Sequence, residues 1–409
     1  MALIVQKFGG TSVGDVDRIR NVARRVVKSS EEGHQVVVCV SAMAGETNAL
    51  DALARAICGD DLPEPREFDA LVSTGEQKTI ALLAMAIQHL GHSARSFTGT
   101  QMGMETDSSH TRARIQSIDT HRLRAHLDQG AICVIAGFQG VDSEGSITTL
   151  GRGGSDTSAV AVAAALQADV CEIYTDVDGV YTSDPRIVED ARKLSKISFE
   201  EMLELASLGA KVLQTRSVKF AMRYRVPIHV RSSFGSDEGT WIVPEEDVME
   251  RLVVSGVTCN ANEAKIRLRN VPDQPGIAVR LFTPLGEDGI VVDMIVQNFA
   301  SDGTTDMTFT VPRTDYRRAL EIAQSVGREL NSAAVEGDDS IAKVSIVGLG
   351  MKDHAGVATR MFDVLARENI NIQMISTSEI KISVVIEEAL ADRAVQALHA
   401  ALVSESGSD

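Results

Sequence analysis

Leu3-Ile4-Val5-Gln6-Lys7-Phe8-Gly9-Gly10-Thr11-Ser12-Val13 runs an apolar strand into two glycines and then into a helix. The helix shows in Ile19, Val22, Ala23, Val26 and Val27, which share one face at 3.6 spacing. Val36–Val40 follows as an unbroken apolar strand, the kind buried on both faces of a parallel sheet. The unit recurs. After the polar loop Ser41–Asn48, Ser73–Gln77 has capping-box spacing and opens a helix through Ala81–His89. Ala131–Ala136 is a strand, Thr148–Asp156 a Gly-rich loop and Thr157–Gln167 an Ala-rich helix. Val170–Tyr174 and Pro227–Val230 are further strands, with helices over Phe199–Gly209 and Val212–Arg223 between them. This rhythm predicts an α/β fold, a mainly parallel sheet with helices on both faces.

Working outward, 409 residues suffice for two or three domains. With 44% hydrophobic and 24% charged residues, the composition is that of a soluble globular chain. No apolar run reaches the ~20 residues of a membrane span, and residues 1–7 lack the pattern of a signal peptide. A net charge of -17 argues against a nucleic-acid partner. The five cysteines form no Cys-x-x-Cys pair, and Cys39, Cys133 and Cys171 lie in apolar strands. They read as buried, reduced thiols, which suits the cytoplasm. The nine histidines show no metal-ligand spacing.

The rhythm breaks at Ser232–Asn262, where a domain boundary is placed. Beyond it the chain repeats at an offset of 80 residues. Asp273-Gln274-Pro275-Gly276 matches Asp353-His354-Ala355-Gly356, and Leu285, Ile290, Met294 and Ile295 match Leu365, Ile370, Met374 and Ile375, with no gaps. Each copy reads as a ferredoxin-like βαββαβ unit. Duplication of a packing unit accounts for this without function; a pair of modules clasping a small ligand accounts for it with one. The expected division is 1–245, 263–340 and 343–405.

Three loops carry chemistry. In Lys7–Val13, glycines before a helix expose backbone N–H groups to an anion, and Lys7 adds a positive charge for phosphate. Alone, such a turn is weak evidence. Gly151-Arg152-Gly153-Gly154-Ser155-Asp156 is neither a dinucleotide fingerprint nor a Walker loop. Arg152 can grip a carboxylate through two parallel hydrogen bonds, and Asp156 can accept from an ammonium, which suits an amino-acid head group. A helix cap with a surface arginine is the plain alternative. Thr175–Arg186 follows a buried strand at the carboxyl end of the sheet, where ligands bind. There Tyr181 can pack on a base and Arg186 can reach phosphates. Lys211 offers a second phosphate cation, though an isolated lysine is usually a solvated one.

These strings, with Phe199-Glu200-Glu201-Met202 and Arg231-Ser232-Ser233, resemble the aspartokinases of the amino-acid kinase superfamily. The resemblance spans essentially the whole chain, and the repeated tail looks like a pair of ACT domains. It implies an enzyme that transfers the ATP γ-phosphate to the β-carboxylate of L-aspartate, the first step toward lysine, threonine and methionine. No covalent enzyme intermediate is expected, and Mg2+ would enter with ATP. Lys7, Asp156 and Lys211 would be catalytic. ATP would be contacted by Lys7, Phe8, Gly9, Gly10, Ser41, Thr175, Asp176, Tyr181, Ser183, Asp184, Arg186 and Lys211. Aspartate would be held by Thr47, Glu76, Arg152, Gly153, Gly154 and Ser155, with Asp156 helping Glu76 on its ammonium.

The resemblance further implies lysine or threonine, or both, as effectors. Their candidate contacts are Asp273, Gln274, Ile277, Ala278, Val291, Asp293, Gln297, His354, Val357, Ala358, Asn371, Ile372, Met374 and Ile375. Where relatives usually have Asn, this chain has Val291, which removes one hydrogen-bonding group from that site. A homo-oligomer formed through the ACT domains is expected, with Met249 as a candidate start of a short subunit. The rival enzyme is another kinase of the superfamily, acting on glutamate, acetylglutamate or a nucleoside monophosphate. The rival from another class is a non-catalytic amino-acid sensor, against which Lys7, Arg152 and Asp156 speak.

Overall fold

The strand Leu3–Phe8 sits near the centre of an eight-stranded sheet, between Gln35–Val40 and Val170–Thr175, parallel to both. A computed structural model describes the chain apart from residues 60, 210–211, 236, 249–253, 300–302, 352–353, 355 and 405–409. Across the sheet the order is Lys196–Ser198, Thr240–Val243, Ile228–Ser232, Val170–Thr175, Leu3–Phe8, Gln35–Val40, Ile132–Ala136 and Ala94–Phe97. Every pairing is parallel except Ile228–Ser232 with Thr240–Val243. The helices Val16–Glu31 and Thr74–His89 pack an apolar layer, with Val22, Val26, Leu83 and Ile87 buried against Val36, Val38 and Val134. Burying a side chain such as Leu83 contributes roughly 1.5–3 kcal/mol. The helix Gly154–Leu166 is buried almost all round, because its alanines admit close approach.

Two features depart from expectation. The helices expected over Phe199–Gly209 and Val212–Arg223 are shorter, at Phe199–Ser207 and Thr215–Tyr224. The segment expected to be a boundary, 232–262, contains Thr240–Val243, which inserts into the sheet beside Ile228–Ser232. Its alternation supplies the reason, since Thr240 and Ile242 are fully buried.

The chain forms two compact units, one of residues 1–180 and 193–251, the other of 181–192 and 252–409. The second holds a six-stranded antiparallel sheet in the order Ile295–Phe299, Thr304–Pro312, Gly256–Pro272, Ala334–Val347, Lys381–Glu387, Met374–Thr377. Each module follows the order expected from the repeat: strand, helix (Ile277–Glu287 or Gly356–Arg367), two strands, then helix (Tyr316–Glu329 or Ala391–His399). The closing strands are shared out. The first module takes Ala334–Asp338, paired with Lys265–Arg269, while the second takes Gly256–Asn260, paired with Lys343–Val347. The second module is thus completed by residues that precede the first, and Val257 packs in its core with Val344, Ile346 and Leu398.

Candidate active site

Lys7 points from the end of its strand to Asp156 at the start of the helix Gly154–Leu166, with Nζ 2.6 Å from Oδ1 and both side chains nearly buried. Two glycines make this approach possible. A Cβ on Gly10 would lie 2.9 Å from the carbonyl of Ala42, so the turn can seat on the loop after the second strand only without one. Gly153 has φ +71°, a conformation that favours glycine, and a Cβ there would collide with Gln214. The helix N-terminus adds its dipole to the positive end of the site.

Glu76 faces the same space from the first turn of Thr74–His89 and is 3% exposed. Its Oε1 accepts from the Ala42 N–H at 2.9 Å, while Oε2 has no hydrogen-bond partner among the described residues. Burial pushes its carboxyl up to about 7, against the lowering effect of the Ala42 hydrogen bond. A buried carboxylate with a free oxygen, lining a cavity, is a seat for an ammonium. Cys39 lies behind Ser155, donating to its carbonyl at 3.6 Å, and burial pushes its thiol far up.

The cavity measures about 350 Å³. It gathers Lys7, Gly10, Ser41, Thr47, Glu76, Arg152, Gly153, Gly154, Ser155 and Asp156 from four separate stretches of sequence. A Cβ on Gly9 would lie 3.4 Å from Lys7 Nζ, so this glycine sits against the lysine. Asn48 and Phe138 line it too and escaped the sequence reading. Phe138 holds φ +69°, strain of the sort that collects at functional sites; its signal was the Gly137-Phe138-Gln139-Gly140 turn after a buried strand.

Other expected residues lie elsewhere. The Phe8 side chain is 1% exposed and stacks on Tyr174 at 4.5 Å. Thr175 and Asp176, at the end of their strand, hydrogen-bond to each other. Tyr181, Ser183, Asp184 and Arg186 belong by packing to the second unit, where Arg186 forks onto Asp184. Lys211 and Met249 lie outside the described residues. Asp156, expected to share the substrate ammonium, is engaged by Lys7.

Among the effector candidates, Asp273, Gln274, Ala278, Gln297, His354 and Asn371 are exposed, as are Val291 at 68% and Ile375 at 45%. Val357, Ala358 and Ile372 are half-buried against the second module's core. Ile277 and Met374 are packed in cores. Asp293 pairs with the buried Lys343, which also binds Glu263 at 2.8 Å. Among the described residues, no helix is long and apolar enough to cross a membrane, and all five cysteines are free thiols.

The amino acid kinase family model matches residues 2–232, and an ACT domain model matches residues 269–325 and 344–402. An aspartate kinase of Pseudomonas fluorescens is 59% identical over 402 residues, which cover 98% of this chain and 97% of that one. The chain belongs to the aspartokinases. An aspartokinase of Corynebacterium glutamicum is 52% identical over 404 residues, 98% of this chain and 96% of its own. Among solved structures, Escherichia coli aspartokinase III in complex with aspartate and ADP superposes with a TM-score of 0.82 at 28% identity, covering 98% of this chain and 99% of that one. The same enzyme with lysine and aspartate gives a TM-score of 0.77. The aspartokinase architecture, a kinase domain followed by ACT domains, is therefore that of this chain.

Proposed function

We propose that the chain phosphorylates the β-carboxylate of L-aspartate with ATP, and the observation that carries this is the cavity shared by Lys7, Glu76 and Arg152. Arg152 takes the α-carboxylate and Glu76 the ammonium, which leaves the β-carboxylate toward Lys7. A carboxylate oxygen forms a bond to the γ-phosphorus as the bond to the β-phosphate oxygen breaks, and ADP leaves with that electron pair. Little covalent work falls to the protein. Its part is positioning and charge stabilisation. Lys7 meets the developing charge on the transferring group, and Asp156 holds the Lys7 ammonium in place. Lys211 is the further cation we assign to the phosphates. Thr175, Asp176, Tyr181, Ser183, Asp184 and Arg186 are our candidates for the nucleotide, on resemblance of that loop.

The ADP complex of the E. coli relative supports a nucleotide-borne divalent ion, and we take it to be Mg2+. When bound, it neutralises phosphate charge. A coupled assay with aspartate and glutamate side by side tests the reading. Turnover is expected with aspartate, abolished by EDTA and restored by excess Mg2+. Turnover with glutamate alone, or undiminished by EDTA, would overturn it.

Regulation by lysine or threonine at the paired modules is our reading of the tail. It rests on the two ACT matches and on the lysine complex of the E. coli relative. Either amino acid, or the mixture, is expected to lower activity at millimolar concentration; unchanged kinetics under all three conditions would count against it. We retain module bounds of 263–340 and 343–405 with a kinase domain of 1–245. We also propose a homo-oligomer through the modules, a cytoplasmic setting that suits the free thiols, and Met249 as a start for a short subunit, which a blot for a small C-terminal product would test.

A further inference from the structure

Glu76 and Arg152 grip opposite ends of the same head group, yet they come from different parts of the chain. Glu76 rides on a helix that follows directly from the helix Pro65–Val72, while Arg152 follows the strand Ile147–Thr149. One carboxylate joins these two supports. Asp69, on Pro65–Val72, is 0% exposed. Its Oδ1 accepts from the Thr149 hydroxyl at 2.5 Å, and its Oδ2 from the backbone N–H groups of Thr149 and Thr111, each at 2.9 Å. His110 Nδ1 lies 3.0 Å from the same oxygen. Thr111 has φ +67°, and its carbonyl would sit 3.0 Å from a Cβ on Gly151, so its held N–H fixes the floor under the Arg152 loop. Arg216 secures the same loop by donating to the carbonyls of Leu150 and Ala113 at 2.9 and 2.8 Å.

A fully buried carboxylate is costly unless donors surround it, and here its donors lie on the strand that leads to Arg152 and on the loop beneath Gly151. Hydrophobic packing would hold a helix to a strand without this expense. We propose that Asp69 is a positioning residue that sets the span between Glu76 and Arg152, and with it the affinity for an α-amino-acid head group. This rests on the reading of Glu76 and Arg152 given above. A misplacement of about 1 Å in such a pair weakens function roughly 100-fold.

The test compares Asp69→Asn, Thr149→Val and Thr149→Ser in the full chain, with thermal melting as the control for folding. Asp69→Asn turns one acceptor into a donor, and Thr149→Val removes the hydroxyl bond at nearly constant shape. Both are expected to raise KM for aspartate roughly 10- to 100-fold, with kcat and KM for ATP within about threefold. Thr149→Ser keeps the hydroxyl and is expected to stay near the unaltered enzyme. Unchanged KM for aspartate in folded Asp69→Asn and Thr149→Val would overturn the proposal. So would equal losses in Thr149→Ser and Thr149→Val, or losses spread evenly over all three constants. Calorimetric titration with aspartate alone separates this from the reaction assignment. Weakened binding in both variants, against intact binding by the unaltered chain, supports Asp69 whatever the turnover.

Discussion

Replacing Lys7 by alanine is expected to lower kcat by roughly two to three orders of magnitude, because loss of one preorganised charge partner costs ~2.7–4 kcal/mol of transition-state stabilisation. KM for aspartate should change little, since on the proposed reading Arg152 and Glu76 hold that substrate. The ion pair with Asp156 adds a second effect that the sequence does not reveal. Both members are nearly buried, so removing one strands the other, a change that typically costs several kcal/mol. Lys7→Ala should therefore melt below the unaltered protein. The double variant Lys7→Met with Asp156→Asn should recover much of that melting temperature and none of the activity. Kinetics and thermal melting of the two variants side by side check this. A double variant as active as the native enzyme would remove Lys7 from the mechanism.

The second large effect concerns Glu76, whose carboxyl burial raises to about 7. On the proposed reading it must be ionised to receive the substrate ammonium. As pH falls below about 7 the group takes up a proton, and KM for aspartate should climb toward a tenfold rise per pH unit. Glu76→Gln should raise KM at pH 8 by roughly 10- to 150-fold, the equivalent of ~1.5–3 kcal/mol for a hydrogen bond to a charged group. It should also flatten the rise below pH 7. The sign for stability runs the other way. A carboxyl whose folded value lies above its unfolded one stabilises the fold below pH ~4.5, and that contribution is lost as pH rises through about 7. Bound aspartate supplies the missing partner, so the thermal shift caused by aspartate should be greater at pH 8 than at pH 6. A KM independent of pH between 5.5 and 8 would sink this assignment.

Much of the kinase domain was legible because its signals are local. The strand at Lys7, the Gly-rich turns and the apolar faces of the helices each declare themselves within a dozen residues, and the 80-residue repeat declares the paired modules. What escaped depends on partners far apart in the chain. Asp69 reads as an ordinary helix carboxylate, and its main donor stands 80 residues later at Thr149. Arg216 is one arginine among many until its carbonyl partners at Leu150 and Ala113 are known. The small sheet formed by Met104–Thr106, Ile115–Ile118, Gln139–Val141 and Ile147–Thr149 has strands of only three or four residues, too short for periodicity to mark. The engagement of Asp156 by Lys7 likewise follows from tertiary approach and not from either motif alone.

The run Thr175–Arg186 reads as one motif, yet the chain changes allegiance after Val180. Residues 181–192 are knitted into the second unit. Thr182 meets His399 at 2.8 Å, Arg192 donates to the carbonyl of Val403, Gln396 donates to that of Ile187, and Val188 is buried with Leu398 and Leu402. A truncated chain ending at residue 245 would therefore lose the cradle of its own loop and expose Val188 to water. Chimeras that exchange tails between relatives should fare better when this dodecapeptide travels with the tail it grips.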